Sequence, residues 1–133
     1  MGSGIILRGI GLGIAALILN ALITALWVWF HSVMIAPGHD GGFYQAYAQR
    51  VAPFSGLVAG IPLLFAAGVL SARGSGHWLA ALIPAATYIA LDLVLMAVGD
   101  LWSTPLALAL SYITKGLAAY AGGRLRKRKG PVQ

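Results

Sequence analysis

Asp92 and Lys115 are, tyrosines apart, the only ionisable side chains set well inside the apolar stretches of this 133-residue sequence. A charge in hydrocarbon is costly, so an acid or base at that depth is a functional candidate by default. The connection between the two segments that hold them centres near Trp102, with Asp92 ten residues before it and Lys115 thirteen after. At 1.5 Å per residue the three-residue offset is about 4.5 Å, within the reach of an extended lysine, so an ion pair is geometrically open to them. Tyr88 stands one helical turn from Asp92, and Ser111 one turn from Lys115. Asn20 falls at similar depth in another apolar stretch. Asp92, Lys115, Tyr88, Ser111 and Asn20 thus make a candidate polar midplane site. Its two readings are a clamp, in which the pair locks two helices together, and a carrier, in which Asp92 exchanges a proton or cationic substrate with Lys115 as its alternating partner. Removing one member of a buried pair costs about 3–5 kcal/mol even where the intact pair adds little.

Other constellations carry less. Ser111 and Lys115 have the i,i+4 spacing of a Ser–Lys nucleophile pair, but a serine in a membrane helix ordinarily bonds its own backbone. Asp92 and Asp100 would stand about 12 Å apart along one helix, whereas two acids sharing a proton must be adjacent. The stretch Ala97-Val98-Gly99-Asp100 also lacks the first glycine of the GxGD pattern of intramembrane aspartyl proteases. Gly9-Ile10-Gly11-Leu12-Gly13 has neither the preceding strand nor the spacing of a dinucleotide loop. His31, His39 and Asp40 have no diagnostic metal-ligand spacing, and His77 beside Trp78 reads as interfacial. With no cysteine, disulfides, thiolate metal sites and cysteine nucleophiles fall away. The expectation is no catalytic residue, no metal and no cofactor.

These residues need elements to position them. The composition is 59% hydrophobic and 9% charged, with mean hydropathy +0.85. Soluble domains carry about 25% charged residues, so the chain reads as a membrane protein. A membrane helix takes about 20 apolar residues, and four would use about 80, leaving no room for a separate soluble module. The expected fold class is all-α: one polytopic domain over residues 1–133, a four-transmembrane-helix bundle with spans at about 9–30, 51–70, 78–99 and 101–121. The first span ends in the aromatic belt Trp27, Trp29 and Phe30 and is longer than the apolar core of a signal peptide, about 7–15 residues. Pro62 and Pro84 predict kinks, which membranes tolerate where neighbouring helices satisfy the freed carbonyls. Residues 31–50, with Pro37-Gly38 and Gly41-Gly42, read as a turn-rich connection. The other two connections are short and predict antiparallel neighbours.

Small residues recur every four positions: Ala52, Gly56, Gly60, Gly68 and Ala72 in the second span, and Gly9, Gly13, Ala21 and Ala25 in the first. Such stripes let helix backbones approach closely. They predict packing of spans one and two against each other or, alternatively, a homo-oligomer seam.

The formal net charge is +6, and five of the nine basic residues are Arg124, Arg126, Lys127, Arg128 and Lys129, opening a tail over 124–133. Beside an apolar helix such a run suits anionic lipid head groups rather than nucleic acid. Arg8 and Arg73 fall on the tail's side of a four-span chain, against Arg50, Asp40 and Asp100 on the other. The positive-inside rule then puts both termini in the cytoplasm, of a bacterial inner membrane.

In length and span number the chain is similar to small multidrug-resistance transporters and to GtrA-like polyprenyl-lipid flippases. The first family carries its key acid in span one, where this chain has Asn20, and no motif is shared residue by residue, so no site is carried over. The expected function is a small transporter or lipid flippase with its site between kinked helices. The alternative is a non-catalytic accessory or assembly subunit of a larger membrane complex, with an enzyme third.

Overall fold

The computed structural model describes residues 2–99 and 104–128, and those residues fold entirely into helices and turns. Helix α1 (Ser3–Phe30) runs into a single π-helical turn at His31–Ile35, then come α2 (Gly41–Val58), α3 (Gly60–Ser75), a 3-10 turn at Trp78–Ala81, α4 (Leu82–Gly99) and α5 (Pro105–Arg128). Three lengths, Ser3–Ile35, Gly41–Arg73 and Trp78–Gly99, are long and apolar enough to cross a membrane. Helix α5 has 24 residues, about 36 Å, but Ser111, Thr114, Lys115 and its basic end keep it out of that set. Asp100, Leu101 and Trp102, which entered the charge count and the hairpin register, lie outside the described residues, as does Lys129.

Helix α2 begins ten residues before the apolar run that opens at Val51. Asp40 is the reason. Its carboxylate accepts the Phe43 N–H at 2.9 Å, an N-cap that satisfies a donor the first helical turn leaves free. The Gly41-Gly42 pair, which reads as a turn by composition, becomes the first turn of that helix.

Helices α2 and α3 follow one another with a single-residue break at Ala59. Pro62 causes it: proline has no N–H for the Val58 carbonyl, and its ring crowds that carbonyl. Pro84, by contrast, sits in the first turn of α4, where a missing N–H interrupts nothing.

The interior is made of small residues. Ala16, Ala67, Ala85 and Ala119 surround Leu64 and Tyr88 in the core, while Val98, Leu106 and Leu7 stand 82%, 72% and 70% exposed. Large aliphatic groups point outward, and the small ones inward let helix backbones approach closely.

The most extensive interfaces join α3 to α5 and α1 to α4, both of them parallel pairs, rather than sequence neighbours. In the first, a Cβ at Gly68 would run into the Ala119 main chain and one at Gly122 into the Phe65 carbonyl. In the second, a Cβ at Gly9 would stand 2.6 Å from Ile83 Cγ2, and one at Gly13 2.7 Å from Thr87 Cβ. The two glycine stripes therefore do not meet each other. Gly9 and Gly13 receive α4 and Gly68 receives α5, whereas Ala21, Ala25 and Ala52 of the same stripes stand exposed. Ser71, 1% exposed, donates its hydroxyl to the Ala80 carbonyl at 2.7 Å and ties α3 to the 3-10 turn. At the same end Arg124 Nε donates to Tyr120 Oη at 2.9 Å, and its guanidinium stands 5.3 Å from the Trp78 ring centroid.

Candidate functional site between the helices

Lys115 is 2% exposed. It projects from α5 toward the break between α2 and α3, where two glycines leave room for its stem: a Cβ at Gly60 would stand 2.8 Å from Lys115 Cε, and one at Gly56 3.6 Å from Nζ. Its ammonium lies 4.5 Å from the Tyr88 ring centroid and 5.7 Å from that of Tyr112. A cation over aromatic faces is attracted by the ring quadrupole, by about 2 kcal/mol or more when desolvated.

Around this centre the polar groups join in pairs across helices. Asn20 of α1 donates to Tyr88 Oη of α4 at 2.8 Å, leaving Asn20 Oδ1 buried with no donor among the described residues. Tyr112 of α5 donates to Asp92 Oδ2 of α4 at 3.0 Å. Thr24 of α1 and Ser55 of α2 share a hydrogen bond at 2.5 Å, and Thr24 also donates to the Asn20 carbonyl at 3.0 Å. Four helical lengths thus contribute to one polar layer.

Asp92 and Lys115 share that layer without forming the direct ion pair their register allows, since no acid of the described residues lies within 4 Å of the ammonium. The reason is rotational rather than axial. Lys115 faces inward to Gly56 and Gly60, while Asp92 sits half-buried in the α4–α5 seam and takes its proton donor from Tyr112. Tyr88 lies level with Lys115, and Tyr112 level with Asp92. Ser111 stays apart: its carbonyl accepts from Thr114 at 2.9 Å, and its hydroxyl makes no bond among the described residues.

Tyr112, Thr24 and Ser55 are the participants that charge-seeking missed. For Tyr112 a signal existed, because it stands ten residues after Trp102 as Asp92 stands ten before it. Nothing in the spacing singles out Thr24 or Ser55, which lie within the expected first and second spans and meet through the packing of α1 against α2.

The residues of the connection between α1 and the second span have local roles. Asp40 caps α2, the His31 ring stacks on Tyr47 at 3.7 Å, and His39 stacks on Phe43 at 4.0 Å. Trp27 Nε1 donates to Tyr47 Oη at 2.9 Å, and Tyr44 Oη donates to the Ala36 carbonyl at 2.8 Å, fastening the connection to the end of α1. Among the basic residues of the tail, Arg124 rests on Trp78 and Tyr120 as described, and Arg126, Lys127 and Arg128 continue α5.

Comparisons with protein-family models, curated proteins and solved structures give no match.

Proposed function

We propose that this chain is a small integral membrane transporter or lipid flippase, a four-span bundle whose site is the polar layer around Lys115. The observation that carries the reading is a buried ammonium with no counter-ion within 4 Å among the described residues, set beside a broken helix. A scaffold has no need of such a group, and replacing buried ionic groups with apolar ones of equal volume is often neutral or stabilising by about 1–4 kcal/mol. Discontinuous helices facing a polar midplane are where membrane transporters hold substrate and coupling ion. The test is flux in proteoliposomes, with one set carrying a fluorescent phospholipid bleached from outside by dithionite and another an entrapped pH dye. Wild-type protein accelerates lipid exchange or proton flux, and Lys115→Met abolishes it while leaving the thermal midpoint in place. Absence of acceleration in both sets would overturn the reading and put the accessory subunit in its place.

The orientation belongs to the same proposal. Both termini face the cytoplasm of a bacterial inner membrane, on the strength of the basic bias carried by Arg8, Arg73 and the tail. Reporter fusions at Gly38 and Gln133 then report from opposite sides, and finding both on one side would sink the four-span topology.

The tail engages anionic lipid head groups, each basic residue near such a surface adding about 1 kcal/mol. Changing Arg126, Lys127, Arg128 and Lys129 together to glutamine is expected to remove the preference of the protein for anionic over neutral lipid in a native-mass or spin-label lipid competition. An unchanged preference would count against it.

A further inference from the structure

Across the break between α2 and α3 the main chain bonds from Ala59 N–H to the Ser55 carbonyl at 2.9 Å and from Leu63 N–H to the Ala59 carbonyl at 3.2 Å. Pro62 has no N–H to give, so the Val58 carbonyl lacks the donor that a continuous helix supplies. It stands at the C-terminal end of an 18-residue helix, where the helix dipole favours a positive charge. No basic side chain of α2 lies in that last turn.

The remaining neighbours have the same sign. The faces of Tyr88 and Tyr112 turn toward the Lys115 ammonium, the Asp92 carboxylate stands behind Tyr112, and the unpartnered Asn20 Oδ1 lies behind Tyr88. Every one of these groups is an acceptor, a π face or an anion. A site built to hold an anionic substrate on Lys115 would be lined the other way. Gly56 and Gly60 complete the cradle: any side chain at Gly60 would strike Cε of the lysine, so the stem crosses the break because these two positions are bare.

We infer that the break at Gly56–Pro62, closed over by Tyr88 and Tyr112, is a monovalent-cation subsite whose resident cation is the Lys115 ammonium itself. When that charge is withdrawn, the subsite takes an alkali-metal or small alkylammonium ion. The inference deepens the transport reading, since a cation fixed to α5 that comes and goes by gaining and losing a proton is a means of coupling transport to protons. Its test reads binding, so it stands or fails separately from flux.

The experiment uses the full chain in detergent and follows unfolding by tryptophan emission at constant ionic strength. Lys115→Ala, which opens the seat, is titrated with sodium, potassium or ethylammonium chloride against N-methylglucamine chloride. At least one of the small cations is expected to raise its midpoint saturably, by about 4 °C, with no such response in wild type or in Lys115→Met, whose side chain fills the seat. A flat titration, or one that follows the anion, would overturn the inference. Pro62→Ala gives a second arm that does not need the alanine variant to fold. It returns an N–H to the Val58 carbonyl, so the change in midpoint caused by Lys115→Met shifts in the stabilising direction in the Pro62→Ala background. Additive midpoints in that cycle would equally overturn it. Cation binding without flux leaves the subsite standing and removes the transport reading; flux without cation binding does the reverse.

Discussion

Gly68→Leu is expected to abolish the cooperative unfolding transition of the purified protein, and Gly68→Ala to lower its stability by about 1–3 kcal/mol, the ordinary range for overpacking. Neither effect comes from the glycine's own conformation, which is that of an ordinary helix. A Cβ at Gly68 meets the main chain of Ala119, and a main chain cannot rotate aside as a side chain can. The two helices would have to separate along their whole contact, which also carries Gly122 against Phe65 and the seat of Lys115. In hydrocarbon there is little hydrophobic drive to hold helices together once they part, because lipid tails are as apolar as the side chains they replace. Gly116→Ala on α5 is the control. A Cβ there meets nothing within 4 Å, so removing a helical glycine should be neutral or stabilise by up to about 1 kcal/mol. Thermal midpoints followed by tryptophan emission check both, and equal responses at Gly68 and Gly116 would refute the packing account.

That contrast also marks how much the sequence alone reveals. A stripe of small residues every four positions marks a face on which another element comes close: Gly13 and Gly68 meet main chain, Gly9 the Ile83 side chain and Gly60 the Lys115 stem. It does not say which element. The periodicity describes one face of one helix, and the partner is decided by the packing of all the helices together. Spans one and two do pack against each other, α1 meeting both α2 and α3, but the parallel pairs α1–α4 and α3–α5 that close on the glycines are invisible to the stripe. The early start of α2 was masked for another reason: the same Asp-Gly-Gly sequence serves a turn or a capped helix end, and only the Asp40 bond to Phe43 N–H distinguishes them.

The polar layer divides in the same way. Axial register follows from a rise of 1.5 Å per residue, and it sets Asp92 and Lys115 at nearby depths, with Tyr112 meeting the first and Tyr88 the second. Rotation about each helix axis depends on who the neighbours are. Lys115 turns to the glycine cradle at the α2–α3 break and Asp92 to the seam with α5, so the opposite charges share a level and not a contact.

This geometry fixes what the Asp92 and Lys115 variants should do. Asp92→Asn keeps an oxygen that can accept from Tyr112 Oη, so it exchanges a charged hydrogen bond for a neutral one, a loss of about 1 kcal/mol. Lys115→Met keeps the volume of the stem between Gly56 and Gly60. It gives up the ammonium's attraction to the rings and to the end of α2 but also its desolvation, and the net change is expected within about 1 kcal/mol. With no direct contact between the charges, the double variant should be close to additive in stability. Flux should behave differently, falling in each single variant and staying absent in the double, because an amide and a thioether cannot exchange protons during a cycle. Midpoints and proteoliposome flux measured on the same four proteins separate the alternatives. A pair that serves only as a clamp would show two unstable single variants and a double variant restored in stability and in activity together, which would remove the carrier role and leave the accessory subunit as the better account of the chain.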